Sequence, residues 1–180
     1  DKIDKGSLAE EDRTQLKGAA FFFRGWLYFQ LVIRYGGVPL VLKPENIGDD
    51  LLVKRNSTTQ CMQQIEADLD SAIAYLPVID AGSAENDGHL HKGTAMAVKG
   101  RMLLYFASPQ FDPTQATKDR WQAAYDANTA AQTYLEAHGF GLFPSFAGLW
   151  FNELNKEDIF VRRYQYSPDN DMSFSHWAAA

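Results

Sequence analysis

The stretch from Ser7 to Pro39, SLAEEDRTQLKGAAFFFRGWLYFQLVIRYGGVP, constrains the fold more than any other part of the chain. Ser7 followed three residues later by Glu10 is the pattern of a capping box, in which each side chain satisfies an orphan backbone donor at a helix start. Gly36-Gly37 supplies a stop, and Pro39 prevents resumption. One helix is therefore expected over 7–37, about 28 residues between the signals and roughly 42 Å long. From Ala19 onward it is apolar on nearly every side. Phe22, Trp26, Phe29 and Ile33 form one stripe, and Phe23, Leu27, Leu31 and Tyr35 the next. A helix apolar all round is buried on several faces, so this one is expected to be an interior strut. Arg24, Gln30 and Arg34 interrupt the run before it reaches the ~18–20 uncharged residues of a membrane span.

The rest of the chain supplies partners for such a strut. With 180 residues, 46% hydrophobic and 22% charged, it suits one domain that buries roughly 70% of its unfolded surface. Val38 to Pro44 is proline-bounded and reads as an extended connector. Ser57 with Gln60 repeats the capping-box pattern. Met62, Ile65, Leu69, Ile73 and Leu76 then follow at helical spacing, with Glu66, Asp68 and Asp70 outward. The main helices are expected at 7–37, 57–76, 92–107 and 119–138, followed by a loop-rich segment over 140–180. In the third helix Gly93, Ala97 and Gly100 line one side, where the first helix is expected to approach closely. Trp121, Ala124, Tyr125 and Asn128 follow the spacing that opens a tetratricopeptide unit, with two of its four positions substituted. No strict 34-residue period occurs. The fold class read from this is all-α, as degenerate tetratricopeptide-like helix pairs with long irregular loops; an irregular bundle is the alternative that periodicity leaves open.

Several chemistries are disfavoured. Net charge is −6 without a Lys/Arg run, so no nucleic acid partner is expected. The single Cys61 excludes an intramolecular disulfide. His89-x-His91 with Asp87 nearby falls in a loop, where that spacing does not put two rings on one face, and no further zinc ligand is signposted. Glu153, Glu157 and Asp158 offer carboxylates for sugar hydrolysis, yet nothing beside them marks a raised pKa or a positioned water. No nucleophile elbow, phosphate loop or dinucleotide fingerprint is present. No catalytic residue, metal or cofactor is expected.

What remains unusual is aromatic density after the helices, from Phe140 to Trp177. Aromatic faces stack on the apolar faces of sugar rings and also grip peptide side chains. Phe143, Trp150 and Phe160 are expected to close the core. Tyr164, Tyr166, Asp169, Asn170 and Trp177 lie in a polar segment beside Arg163 and are the ligand-binding candidates. The opening DKIDKG has no basic-then-apolar leader, and both ends read as cut rather than finished, so a piece of a longer protein is expected.

Five stretches resemble the SusD/RagB family in order. FRGWLYFQLVIRYGGVPLV (Phe23 to Val41) resembles its first signature helix. Arg55-Asn56-Ser57-Thr58 through IEADLDSAIAYLP (Ile65 to Pro77) is similar to its second. KGTAMAVKGRMLLYFASPQFDP (Lys92 to Pro113) resembles the third, with its Ala-Ser-Pro-x-Phe exit, and RWQAAYDANTAA (Arg120 to Ala131) the next. Lys156 to Phe160 matches the turn before an Ile-Phe pair, so the likeness spans about Thr14 to Arg163. The resemblance implies a surface-exposed lipoprotein of the outer membrane that binds glycans or peptides without catalysis. It also implies a partner, a SusC-like TonB-dependent transporter over which the protein closes as a lid. The family's lipid-bearing cysteine has no counterpart here, since Cys61 lies within a helix, so the membrane attachment it implies rests on an anchor outside this chain. Family members are also much longer. Their ligand residues lie in variable loops, so none carries over. Rival readings are a helical protein-binding scaffold and a helical-toroid glycoside hydrolase.

Overall fold

The computed structural model describes residues 3–46, 48, 52–83, 88–113, 119–152 and 154–161. Five α-helices follow a short 3-10 turn at Ile3–Lys5 among these residues: α1 Glu10–Tyr35, α2 Thr58–Tyr75, α3 Lys92–Ala107, α4 Asp119–Ala137 and the single turn α5 Phe146–Leu149. No strand occurs among the described residues. The chain is all-α, and its helices pair in the tetratricopeptide-like manner. None is long and apolar enough to cross a membrane.

Contacts fix an antiparallel order. Gly18 of α1 abuts Leu76 at the end of α2, Gly25 abuts Ile65 and Asp68, and Gly37 lies against Asn56. Lys99 of α3 reaches back to Glu66 and Asp70 of α2, at 3.3 and 2.6 Å. Gly93 meets Leu135 and Gly100 meets Asn128, so α4 runs back along α3. The core lies between α1, α2 and α3: Phe22, Phe29 and Val32 pack with Met62, Ile65, Leu69, Met102 and Leu103.

α1 starts later than the sequence pattern suggests. Ala9 is its N-cap and no side-chain cap bond forms, so the Ser7–Glu10 box is absent. Glu10 instead pairs forward with Arg13 at 3.2 Å, and Arg13 also donates to the Leu8 carbonyl. Ser57 does form its box: its hydroxyl accepts from the Gln60 amide, and the Gln60 side chain accepts from the Ser57 amide. The C-terminus of α1 closes at Gly36, whose φ of +69° suits glycine. Arg55 then caps the spent carbonyls of Tyr35 and Gly37 at 2.5 and 2.6 Å, placing a cation at the negative end of the helix dipole.

Three expectations are corrected. The second α1 stripe is not interior: Phe23, Leu27, Leu31 and Tyr35 are exposed, Leu27 by 59%, and Trp26 is only partly buried. The reason is that α1 touches α2 along its length and α3 only slightly, so one face is covered. Asp68 is not outward but 2% exposed. Arg24 donates to it twice, Nε to Oδ2 at 2.8 Å and Nη2 to Oδ1 at 2.6 Å, and Gln64 adds a third bond. A buried carboxylate is tolerable when so paired. Finally, the small side of α3 receives α4 rather than α1.

Candidate functional site

The segment after α4 is a loop held by polar anchors that projects aromatic side chains into solvent. It begins with a Schellman turn. The Phe140 amide donates to the Leu135 carbonyl and the Gly139 amide to the Glu136 carbonyl, with Gly139 at φ +81°. His138 fixes this corner to the α2–α3 connection: Nδ1 lies 2.7 Å from Asp80 Oδ1, and the Ala81 amide donates to the His138 carbonyl.

The next anchor is His91, the N-cap residue of α3, which is fully buried. Its ring stacks on Phe140 with centroids 5.4 Å apart. Nε2 donates to the Ile159 carbonyl at 2.7 Å, which ties the far end of the loop to the bundle. Nδ1 has no hydrogen-bond partner among the described residues. Burial holds the His91 pKa below its ordinary value; the Ile159 bond opposes this and nearby His138 adds to it. Two more bonds cross the loop: Gly141 amide to Lys156 carbonyl, and Phe143 amide to Glu157 Oε2. Asn155, 8% exposed, organises the turn at its base. Its amide nitrogen donates to the Asn152 carbonyl and to Asp158 Oδ2, and its oxygen accepts from the Glu157 amide. Burial raises the Asp158 pKa.

On this base sits α5, capped by Ser145, whose hydroxyl accepts from the Gly148 amide. Phe146 and Trp150 meet edge to face at 6.2 Å. Phe146 and Phe151 are 79% and 80% exposed, Leu142 and Trp150 are also exposed, and Asn152 is held nearby by the Gly148 carbonyl. A rigid base carrying solvent-facing rings beside amides and carboxylates suits an uncharged ligand with apolar faces and hydroxyl edges.

The structure places the sequence-derived candidates unevenly. Tyr164, Tyr166, Asp169, Asn170 and Trp177 lie outside the described residues. Trp150 and Phe160 do not close the core as expected; both are exposed, although Phe160 rests edge to face on Phe22. Phe140 and His91 seal the helix ends in their place. His89 is exposed while His91 is buried and engaged, so the two rings do not converge. Among the described residues no group of three His, Cys, Asp or Glu is arranged to hold a metal. Of the three acids that could serve sugar hydrolysis, Glu157 and Asp158 hold loop backbone and Asn155 in place, and Glu153 lies outside the described residues.

Comparison with known proteins gives one consistent result. Residues 1–104 match the sequence model of the SusD-like family described as "Starch-binding associating with outer membrane". A SusD-like protein of Bacteroides fragilis is 28% identical, with a TM-score of 0.71 over 92% of this chain and 30% of its own. A laminarin-binding SusD-like protein is 24% identical, with a TM-score of 0.68 over 88% of this chain and 32% of its own. Surface glycan-binding protein A of Bacteroides fluxus is 24% identical, with a TM-score of 0.66 over 86% of this chain and 30% of its own. Nothing matches among curated protein sequences. The chain spans about a third of the length of these solved relatives.

Proposed function

The chain belongs to the SusD-like family, and from that premise we propose that it is the amino-terminal part of a surface protein that captures oligosaccharides with its aromatic segment. The observation that carries this reading is the exposure of Phe146, Trp150 and Phe151 on a loop pinned by buried His91 and Asn155. Exposed rings on a rigid base gain stacking area without an ordering cost. Tyr164, Tyr166, Asp169, Asn170 and Trp177 continue the same aromatic run, adding rings with hydroxyl and amide neighbours that select sugar hydroxyls.

No nucleophile or acid–base pair figures in the proposal, so the ligand leaves as it arrived. The receiver is a SusC-like TonB-dependent transporter at the outer membrane, with the protein displayed on the outer surface by a lipid anchor outside this chain. Modest affinity suits a ligand that is handed on. Isothermal titration of the full-length protein with gluco-oligosaccharides tests this. Trp150→Ala and Trp177→Ala are each expected to weaken binding about tenfold, or ~1.4 kcal/mol, with helicity unchanged. Undiminished binding in both variants would overturn the assignment of the segment; binding of peptides alone would replace the ligand class.

A further inference from the structure

Both ends of the aromatic loop are held by one side chain. Phe140, where the loop leaves α4, lies flat on the His91 ring, with the two planes 13° apart. Ile159, where the loop returns, accepts the Nε2 proton of the same ring. Between these points the chain carries α5 and the exposed Phe146, Trp150 and Phe151. We propose that His91 is a proton-operated latch on this loop: its neutral ring holds the loop closed for ligand, and its protonation frees the loop and lets the ligand go. The inference rests on the reading of this segment as a ligand site and adds the regulation of that site.

Three features make the closed seat one for a neutral ring. His91 is fully buried, so a charge there loses its hydration. With the Nε2 proton given to Ile159, a second proton must go to Nδ1, which has no acceptor among the described residues. That nitrogen packs on its own helix start, where a Cβ at Gly93 would lie 3.2 Å away. Finally, His91 is the N-cap of α3, a helix of 16 residues. The positive end of the helix dipole opposes a cation at that place.

The ionisable groups around the ring do not offset this. The charge that bears on it is that of His138, at the end of α4, which also opposes a proton on His91. His138 is itself seated on Asp80 of the α2–α3 connection, and Lys92 lies over the Tyr134 ring at 5.5 Å. His89 and Lys156 are exposed. On the loop, Glu157 holds the Phe143 amide and Asp158 accepts from Asn155. The Phe140 face and the Ile159 carbonyl favour a charged ring, but desolvation is the larger effect. Asp158 runs the other way: burial raises its pKa, so the folded loop takes up that proton first and acid does not loosen the loop through it. Opening returns the His91 ring to water and to its ordinary value of 6.5. Protons thus favour the open loop and ligand the closed one, and each weakens the other by the same factor. Retention is full above about 6.5 and is lost as pH falls through the depressed value of the closed loop.

The test is titration calorimetry of the full-length protein with gluco-oligosaccharides at pH 7.5 and 5, beside amide-exchange protection of residues 141–160 corrected for intrinsic rates. Wild-type affinity is expected to fall at least about fivefold in acid. Protection over 141–160 should fall with it while α1 and α2 stay protected, as for a local opening. His91→Gln keeps a donor for Ile159 without a titrating ring. It should bind more weakly than wild type at pH 7.5 and change less than about twofold between the two values. Should His91→Gln fail to fold, wild-type binding at about pH 6 in two buffers of different ionisation heat gives the second measurement, with net proton release on binding expected. Affinity unchanged by acid, an equal acid loss in His91→Gln, or binding without proton release overturns the latch. So does a loss of protection that extends through α1 and α2, which is global unfolding. Loss confined to 141–160 and independent of pH in His91→Gln, with no oligosaccharide bound at either pH, supports the latch and removes only the ligand reading.

Discussion

The pair α1–α2 and the pair α3–α4 solve the same packing problem by different means. In the first, large side chains interlock and a buried ion pair sits inside the seam. Phe22, Phe29, Met62, Ile65 and Leu69 pack into one cluster, and Arg24 grips Asp68 through two nitrogens while lying over the Phe21 ring. In the second, glycines remove side chains from the seam. A Cβ at Gly100 would fall 2.5 Å from Asn128 Oδ1. The Asn128 amide uses that closeness to donate to the Gly100 carbonyl at 3.0 Å and to the Ala124 carbonyl at 2.8 Å. Both seams use close approach at glycines, Gly18 and Gly25 in the first and Gly93 and Gly100 in the second, and the first adds a charge pair satisfied under cover. They should therefore fail differently.

The largest effect is expected at Arg24. Among the described residues, Arg24→Ala leaves the buried Asp68 carboxylate with Gln64 as its remaining side-chain partner. The expected cost is about 3 kcal/mol, at the low end for a broken buried pair because Arg24 itself reaches water. Replacing both residues, as Arg24→Met with Asp68→Leu, should recover much of it, since the pair is no better than apolar packing of equal volume. Denaturant midpoints decide this, and a double variant as unstable as Arg24→Ala would show that the seam needs the ion pair itself.

Gly100→Ala comes next. It should cost about 2 kcal/mol through overpacking and should not add to Asn128→Ala, whose own cost is about 1 kcal/mol, because the same contact is lost once. Strict additivity would separate the glycine from the amide.

A smaller effect follows pH. His91 is buried at the start of α3, and its pKa is lowered from 6.5 chiefly by desolvation. As pH falls, the unfolded state therefore takes up this proton before the folded state does. The stability that the neutral ring contributes is full above about 6.5 and is lost as pH falls through the depressed folded value. His91→Gln should flatten the dependence of urea midpoints on pH between 7.5 and 5. It should also loosen amide protection at Phe160 even at neutral pH, because the bond to Ile159 is weakened. An unchanged pH profile in the variant would assign the acid sensitivity to another group.

The smallest contrast sets the two helix starts against each other. Ser57→Ala removes a formed box and should cost about 1 kcal/mol. Ser7→Ala removes nothing from the start of α1 and should fall within about 0.5 kcal/mol of zero. The same four-residue pattern thus carries different weight at two places, as thermal melts of the two variants would show.

That contrast also marks how far the sequence is readable. Helical period and the stops at Gly36, Pro77 and Ser108 locate the helix bodies, because these signals are local. What is not local is missed. Asp68 reads as a solvent residue until Arg24, 44 positions earlier, is known to face it. Gly93 and Gly100 announce a close neighbour but not which one; α4 takes the place because it alone follows directly in the chain with a small residue, Ala124, and an amide at the right heights. Apolar composition shows that α1 wants cover on several sides, while only the number of helices beside it decides how many are covered. The aromatic segment is visible as a density of rings. Which rings turn outward depends on Phe140 and His91 taking the core position first, and nothing in the spacing of Trp150 or Phe160 reveals that competition.

Capture without cleavage is decided by running the full-length protein through native gels cast with and without dissolved glucan, then assaying the same mixture for reducing ends. Retarded migration is expected in at least one polysaccharide gel, relieved by Trp150→Ala, with no reducing ends released. Unretarded migration across a broad set of glycans, or release of reducing sugar on incubation, would refute it.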